Sequence, residues 1–286
     1  MNVKKILNFL KLIPNKLRGY INFSIYQMEL PKNPLFEDIY IVEFPKSGIT
    51  WLSFIIANIH NQLENNQYIY PTYFNIDSIV TDVHNVKGLS ISEQSRIRFI
   101  KSHSKYNPHY NFVIYLLRNP FDVMVSYYNF SIAQFEYKQS FERFIKDKNY
   151  GITSWTNHVD SWLNYSNKSQ MIHLLKYEDL IHNTFNEIKE LYNNLGILIT
   201  DETIQNAINL SSLENMRNSE EIYRKHNPFY ILSFVGKKDK IKKNKLLTRE
   251  NFLFIKKRSE SILKKFYPDL LNKDYIEIIT DKEKNN

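Results

Sequence analysis

One short stretch near the amino terminus constrains this 286-residue chain more than any other part of it. An apolar, β-branched run from Ile39 to Phe44 leads into a polar loop, and an apolar run with helical period follows from Leu52 to Ile59. The stretch is therefore predicted to form a strand, a loop and a helix in immediate succession. Such a unit has the layout of an anion cradle, because loop N–H groups and the positive end of the helix converge there.

The loop of this unit and the start of its helix carry a distinctive heptad: Pro45, Lys46, Ser47, Gly48, Ile49, Thr50 and Trp51. It is not a Walker A loop, because the lysine precedes the only glycine. It resembles the cytosolic-type sulfotransferases, which carry Pro-Lys-Ser-Gly-Thr-Thr-Trp at the end of the first strand, and only Ile49 departs from that pattern. The resemblance implies that the donor is bound by Lys46, Ser47, Gly48, Ile49, Thr50 and Trp51. An ordinary strand-to-helix turn is the alternative that the heptad alone leaves open.

Length and composition limit the number of domains, the kinds of site and the partners that this chain can have. The length suits one domain over residues 1–286, and a second full domain is not expected. The absence of cysteine excludes disulfides, thiolate zinc sites and a cysteine nucleophile, and is consistent with a cytoplasmic location. The formal net charge of +8 is compatible with an anionic ligand, nucleic acid or a membrane surface. Much of this charge is attributed to an A/T-biased genome, since Asn, Lys, Ile and Tyr are all abundant.

The two ends of the chain differ from its centre. Residues 1–30 are predicted to be an amphipathic, basic extension, in which Ile6, Leu10 and Leu17 alternate with lysines. The segment is too charged and too short to span a bilayer, and it lacks a small-residue cleavage site. A helix packed on the domain is expected, with peripheral membrane contact as the alternative. The polar tail 281–286 is expected to be disordered.

A second predicted strand runs from Arg98 to His103 and ends in a lysine and a histidine two residues apart. Alternation along a strand puts Lys101 and His103 on one side, at the carboxyl end where open α/β sheets bind ligands. The sulfotransferases have Lys-Thr-His here, with the histidine as catalytic base. The resemblance implies that His103 accepts the proton of the acceptor and that Lys101 stabilises the transferring group. A purely structural histidine is the alternative.

A third predicted strand, Phe112 to Leu117, is a near-continuous apolar run of the kind found in central parallel strands. It leads directly into Arg118, and Pro120 suits the first turn of the helix that follows. Ser126 then lies two turns along that helix. The sulfotransferases have an arginine and a serine at this spacing, where both bind the 3′-phosphate of the donor. The resemblance implies that role for Arg118 and Ser126, and a structural salt bridge is the alternative for the arginine.

Three later segments match the family less closely. Tyr177, in the text Lys-Tyr-Glu-Asp after a short apolar strand, corresponds to a tyrosine that contacts the adenine. Ser212 and Leu213 stand where the family has Thr-Ser-Phe, so an aliphatic side chain replaces a ring that stacks on the base. The family's Arg-Lys-Gly loop, which closes over the 3′-phosphate, has its nearest equivalents here in Gly236, Lys237 and Lys238. A solvated lysine loop is the alternative for this last segment.

Two further stretches are predicted to be helices that contribute to the core. The first runs from Ser154 to Trp162, and His158 in it is expected to be a hydrogen-bonded structural histidine. Its buried stripe is expected to be Trp155, Val159 and Trp162. The second runs from about Glu250 to Phe266. It is expected to pack through Phe252, Phe254, Ile255, Ile262 and Phe266.

The resemblance extends in order from about Tyr40 to about Thr248. It implies a P-loop-like, three-layer α/β domain with a central parallel sheet flanked by helices. It also implies transfer of a sulfuryl group from 3′-phosphoadenosine 5′-phosphosulfate (PAPS) to a hydroxyl or amine of a small molecule or glycan, without a metal. In this scheme Lys46 stabilises the leaving 5′-phosphate, and His103 is the base.

Two other classes of function remain as alternatives at this point. One is a P-loop-type kinase that uses ATP, and the other is a non-catalytic basic protein that binds a membrane or nucleic acid through its lysines. A nucleic-acid partner is not expected under the sulfotransferase interpretation. The identity of the acceptor and the oligomeric state are left open.

Overall fold

The computed structural model describes residues 30–31, 34–63, 70–83, 97–164, 170–227 and 241–280. Within these residues a parallel sheet is formed by β1 (Ile39–Glu43), β2 (Val80–Asp82), β3 (Phe99–Ser102), β4 (Phe112–Leu117) and β5 (Met171–Lys176). Their order across the sheet is β2-β3-β1-β4-β5. The chain runs outward from β1 to β2, returns to β3 and then crosses β1 to reach β4. The order therefore reverses beside β1, where ligands bind in folds of this kind.

The central strand β1 explains why helices are needed on both faces of the sheet. Its five residues are all buried, and their side chains alternate between two cores. Tyr40 and Val42 belong to one core, whereas Ile39 and Ile41 belong to the other. A strand that is apolar on both sides is stable only when both sides are covered. The predicted three-layer α/β fold with a parallel central sheet is thus confirmed.

Two of the helices of the described residues follow β1, three follow β4, and the others follow β5. In chain order they are α1 (Ile49–Leu63), α2 (Ile76–Ile79), α3 (Pro120–Phe135), α4 (Phe141–Lys146), α5 (Ile152–Leu163), α6 (Tyr177–His182), α7 (Thr184–Asn194), α8 (Asp201–Leu210), α9 (Leu213–His226), α10 (Lys243–Leu246), α11 (Arg249–Arg258), α12 (Glu260–Phe266), α13 (Pro268–Asn272) and α14 (Tyr275–Thr280). The core on one face of the sheet includes side chains of α1, α7 and α8. The core on the other includes side chains of α3, α5, α11 and α12.

The carboxyl-terminal helix prediction needs one correction. The stretch from Glu250 to Phe266 is not a single helix, because it breaks at Ser259 between α11 and α12. The buried Ser259 hydroxyl donates to the carbonyl of Ile255 at 2.8 Å, and such a bond competes with the regular helical ladder. The predicted packing is otherwise confirmed. Of the expected side chains, the fully buried ones are Phe252, Ile255 and Ile262, and the partly buried ones are Phe254 and Phe266.

Some predictions fall on segments that the structure does not describe. These are the extension up to residue 29, the lysine loop with Gly236, Lys237 and Lys238, and the tail 281–286. They stay predictions, as does the assignment of residues 1–286 to a single domain. No described helix combines the length and the apolar composition that crossing a membrane would require.

Candidate active site

A cavity of about 1200 Å³ opens where the order of the strands reverses. Its walls come from the loop after β1, the start of α3, the segment around α6, and the helices α9, α12 and α13. The predicted donor-binding residues among its lining are Lys46, Gly48, Ile49, Thr50, Trp51, Arg118, Ser126, Tyr177, Ser212 and Leu213. Four separate segments of the sequence are therefore brought together around one space.

The loop between β1 and α1 adopts an unusual backbone conformation. Lys46 has φ of 77° and Gly48 has φ of 120°, both in the left-handed region that most residues avoid. A Cβ atom at Gly48 would overlap the ring of Tyr177, so only glycine fits at this position. Left-handed residues in a short loop turn successive N–H groups toward one side, which creates a concavity for anions.

The carboxylate of Glu43 binds both ends of this loop. Its Oε1 accepts the N–H of Lys46 at 3.1 Å, and its Oε2 accepts the N–H of Ile49 at 2.8 Å. The Ser47 hydroxyl donates to the Phe44 carbonyl at 2.8 Å, and Ser47 is buried rather than part of the cavity wall. Sequence analysis did not identify Glu43, because a glutamate at the end of a strand has no local signal for this role.

Arg118 connects the end of β4 with the loop after β1. Its Nη1 donates to the Lys46 carbonyl at 2.9 Å, although the two residues are 72 apart in sequence. The guanidinium carbon lies 4.4 Å from the centre of the Tyr177 ring, a cation–π geometry. Arg118 is only 9% exposed, and its Nε has no hydrogen-bond partner among the described residues. A buried N–H group without a partner at a cavity wall can donate a hydrogen bond to an anionic ligand.

The helix α3 begins as the sequence predicts. Asn119 is its N-cap, and its side-chain oxygen accepts the N–H of Asp122 at 3.0 Å, with Pro120 in the first turn. Ser126 lines the cavity one turn after Asp122. The ammonium group of Lys243 lies 3.0 Å from Asp122 Oδ1, and both side chains are mostly buried. Lys243 is a second cation on this wall that sequence analysis did not identify.

Glu178 of α6 forms hydrogen bonds with two other segments of the cavity wall. Its Oε1 accepts hydrogen bonds from the backbone N–H of Asn119 at 3.0 Å and from the Asn119 amide at 2.7 Å. Its Oε2 accepts the hydroxyl of Tyr267 at 2.9 Å. These contacts join α3, α6 and the carboxyl-terminal helices around the same space, and burial next to Glu178 raises the pKa of Tyr267.

The two predicted catalytic residues on β3 lie outside the cavity lining. Lys101 forms an ion pair with Asp77 of α2, with 2.6 Å between Nζ and Oδ1. His103 follows the last residue of β3, and its side chain is 33% exposed. Its Nδ1 lies 3.2 Å from the backbone oxygen of Glu43 and 4.0 Å from Glu43 Oε1. Glu43, by contrast, lines the cavity.

His158 of α5 contacts the backbone of His103. Its Nε2 lies 3.2 Å from the His103 carbonyl oxygen, and its Nδ1 lies 2.8 Å from the Tyr115 hydroxyl. Burial lowers the pKa of His158 to about 3, so the ring is neutral near pH 7. The prediction of a hydrogen-bonded structural histidine is confirmed, as is the burial of Trp155, Val159 and Trp162.

Comparison with known proteins identifies the family. The model of the sulfotransferase domain matches residues 36–264. The chain belongs to this family. It is 32% identical over 199 residues to sulfotransferase 1E1 of Bos taurus, with 64% of this chain and 67% of that protein covered. It is 23% identical over 213 residues to amine sulfotransferase of Oryctolagus cuniculus, with 67% and 70% covered.

Solved structures show the same fold. Retinol dehydratase in complex with retinol and 3′-phosphoadenosine 5′-phosphate (PAP) has a TM-score of 0.63 at 20% identity, with 86% of each chain covered. Mouse sulfotransferase SULT7A1 complexed with PAP has a TM-score of 0.55 at 18% identity, with 89% of this chain and 91% of that chain covered. The predicted family and enzyme class are confirmed: the chain is a sulfotransferase, and PAPS is the donor that the family uses. The kinase and non-catalytic alternatives are therefore no longer needed.

The described residues of this sulfotransferase contain no group of three or more His, Asp or Glu side chains placed to hold a metal ion. The cations at the cavity are side chains: Lys46, Arg118, Lys176, Lys243 and Lys273. Anion recognition in the cavity therefore draws on these charges and on the loop N–H groups.

Proposed function

We propose that this sulfotransferase transfers the sulfuryl group of PAPS to a hydroxyl or amine of a small molecule or glycan, with His103 as general base. The observation that carries the proposal is the meeting of two motifs in one cavity, where Arg118 donates to the backbone of Lys46. The structures of relatives in complex with PAP support this assignment of the donor.

The 5′-phosphosulfate of the donor is proposed to bind at the loop after β1. Glu43 occupies the N–H groups of Lys46 and Ile49, whereas those of Ser47, Gly48 and Thr50 have no acceptor among the described residues. N–H groups fixed before the ligand arrives stabilise the charge that develops on the leaving 5′-phosphate. The ammonium group of Lys46 lies 4.5 Å above the ring of Phe130. Its positive charge is proposed to attract the oxygens of the leaving 5′-phosphate.

The 3′-phosphate is proposed to bind to Arg118 and Ser126, with Lys243 as an additional cation. The unpartnered Nε of Arg118 and the ammonium of Lys243 both belong to the cavity wall, as Ser126 does. Lys237 and Lys238 remain proposed contacts outside the described residues.

The adenine is proposed to bind beside Tyr177, Trp51, Ser212 and Leu213. Trp51 is fixed there, since its Nε1 donates to the Ser211 carbonyl at 3.1 Å. Leu213 is 59% exposed and offers an aliphatic face to the base.

The acceptor is proposed to approach from the side of His103. Nδ1 of His103 faces a backbone carbonyl, so Nε2 is the nitrogen that takes the proton of the acceptor. Lys101 is proposed to exchange Asp77 for an oxygen of the transferring group. Two solved structures of retinol dehydratase contain retinol and androsterone, which makes small apolar molecules with a hydroxyl the first acceptors to examine.

The test is a transfer assay with PAPS and a panel of phenols, steroids, amines and oligosaccharides, in which acceptor-dependent release of PAP is measured. We expect release with the wild type, and a decrease in kcat of roughly 10²- to 10⁴-fold in His103→Ala with the affinity for PAP retained. Equal turnover in the variant would remove His103 from the mechanism. Absence of release by the wild type with every acceptor class would contradict the proposed function.

A further inference from the structure

Glu43 is the residue that contacts both the donor loop and His103. It is the last residue of β1, it is 2% exposed, and it lines the cavity that His103 does not reach. Its two carboxylate oxygens accept N–H groups from the two ends of the loop, Lys46 and Ile49. Both oxygens are thus held in place by bonds that do not involve the histidine. A carboxylate fixed in this way presents its charge in a defined position.

The backbone of Glu43 determines which nitrogen of His103 carries the proton. Nδ1 lies 3.2 Å from the Glu43 carbonyl oxygen, and a carbonyl oxygen only accepts hydrogen bonds. Nδ1 is therefore the protonated nitrogen, and Nε2 keeps its lone pair. No described residue forms a hydrogen bond with Nε2, so this nitrogen is available to an acceptor molecule.

The carboxylate of Glu43 also faces the edge of the same ring, with Oε1 4.0 Å from Nδ1. We propose that Glu43 is a positioning residue for sulfuryl transfer, which orients His103 through its carbonyl and stabilises through its carboxylate the imidazolium that forms. The inference rests on the proposed function, because it requires His103 to act as the base. The arrangement parallels the way a buried carboxylate supports a catalytic histidine in hydrolases.

The proposed transfer step breaks two bonds and forms two. The acceptor O–H or N–H bond breaks while its oxygen or nitrogen forms a bond to sulfur, and the proton goes to Nε2 of His103. The bond between sulfur and the bridging oxygen of the 5′-phosphate breaks, and that oxygen leaves with the electron pair as part of PAP. Positive charge therefore develops on His103 as negative charge develops at the loop. Glu43 stabilises the first charge, and the loop N–H groups with Lys46 stabilise the second.

The surroundings of the carboxyl are consistent with this role. Burial raises the pKa of Glu43, and the charges of His103 and Lys46 together with the two loop N–H groups oppose that rise. After burial, the charge of Glu43 is the largest cause of the raised pKa of Tyr115.

A purely structural role would have a different signature. If Glu43 only held the loop in shape, its replacement would weaken donor binding, because the N–H groups of the loop would lose their arrangement. If it also stabilises the imidazolium, its replacement lowers kcat as well. The loop contacts are lost in either case, so the effect on kcat at saturating PAPS separates the two roles.

The experiment compares the full-length wild type with Glu43→Gln and Glu43→Asp, using the Kd for PAP and the kcat for PAPS with the best acceptor. Glutamine keeps the size of the side chain and removes its charge, whereas aspartate keeps the charge. We expect Glu43→Gln to lower kcat at saturating PAPS by roughly 10- to 100-fold, beyond any rise in the Kd for PAP from the loss of one loop contact, and Glu43→Asp to retain more activity. An unchanged kcat, or a loss confined to PAP binding, would overturn the inference.

A double-mutant comparison keeps the inference testable if the single variants disturb the loop. In a His103→Ala background the base is absent, so adding Glu43→Gln should change kcat by no more than about twofold. A full additional loss there would show that Glu43 acts independently of His103. If the wild type itself releases no PAP, the proposed function fails first, so the two failures are distinguishable.

Discussion

At the scale of single residues, the donor site depends on contacts between side chains that are far apart in sequence. Arg118 donates to Lys46, Lys243 pairs with Asp122, and Glu178 accepts from Asn119. Each contact crosses from one element to another, and each ends in a charged or polar group on the cavity wall. The proposed recognition of a nucleotide with two anionic groups is thus distributed over several elements.

Lys243 provides a residue-scale prediction. Its ammonium lies on the same wall as Arg118 and Ser126, so Lys243→Met should weaken binding of PAP while binding of ADP, which lacks a 3′-phosphate, stays unchanged. Loss of one charge-assisted hydrogen bond corresponds to a rise in Kd of roughly 10- to 100-fold. Isothermal titration calorimetry with both nucleotides measures the difference.

Lys245 is the matched control for this experiment, because it lies on the same short helix but is exposed and does not line the cavity. Lys245→Met should bind both nucleotides as the wild type does. Equal losses of PAP and ADP affinity in Lys243→Met would argue against a 3′-phosphate contact.

Sequence patterns predicted which residues share the cavity where those residues follow one another closely in the chain. The heptad around Lys46, the Arg118 to Ser126 spacing and the Tyr177 segment are local patterns, and the structure brings all three to one cavity. Glu43 and Lys243 carry no such pattern, because their partners His103 and Asp122 approach only through the fold. Their positions follow from the pairing of strands and helices, which a single sequence does not specify.

At the scale of elements, the unit of β1, loop and α1 is both a structural and a functional piece. Glu43 accepts the N–H of Ile49, the first residue of α1, and thereby caps the helix with a negative charge. The same unit presents the remaining loop N–H groups to the cavity. The geometry of the loop therefore depends on a few backbone positions that other residues cannot replace.

Gly48→Ala tests the loop as an element. Alanine at φ of 120° is strained, and its Cβ would overlap the Tyr177 ring, so the loop and the ring must both shift. We expect a loss of stability of about 1–3 kcal/mol and a marked loss of PAP binding. Chemical denaturation and calorimetry measure the two effects.

Gly196 provides the matched control, since it also has a positive φ, of 69°, but a Cβ there would meet nothing within 4 Å. Gly196→Ala should cost about 1–2 kcal/mol and leave PAP binding intact. Normal PAP binding by Gly48→Ala would mean that the cradle does not depend on the shape of this loop.

The ends of elements were harder to predict than their existence. Hydrophobic runs located β1 and β4 correctly, because a strand buried on both faces has a strong signal. The break at Ser259 was missed, since a hydroxyl that bonds back to the helix leaves the apolar period almost unchanged. Prediction from sequence is therefore most accurate where burial sets the pattern and weakest where one local hydrogen bond interrupts it.

At the scale of the whole molecule, two buried histidines link the fold to pH. Burial lowers the pKa of His60 to about 4 and that of His158 to about 3, both below the ordinary value of 6.5. At these two histidines the unfolded chain therefore binds more protons than the folded one below pH 6.5. The stability that neutral histidines contribute is present above that pH and is lost as the pH falls toward the folded pKa values.

His60 allows this dependence to be measured without touching the site. Its ring packs edge-on against Phe99, with centroids 4.9 Å apart, and its buried Nε2 has no partner among the described residues. In urea unfolding between about pH 7.5 and about pH 5, His60→Phe should lose less stability than the wild type. Burial raises the pKa of Asp38 and Glu43, whose contribution is opposite in sign but common to both proteins. Identical losses in the two proteins would contradict the account of His60.

We propose that the cavity between β1 and β4 binds the donor and recognises its 3′-phosphate. The most direct measurement is thermal unfolding of the wild type with PAP, ADP and ATP at equal concentrations. We expect PAP to stabilise the protein far more than ADP or ATP does, by about 2.7 kcal/mol at one hundred times its Kd. Stabilisation by ATP or ADP to the same degree, or by none of the three, would contradict the claim that Arg118 and Ser126 form a 3′-phosphate site.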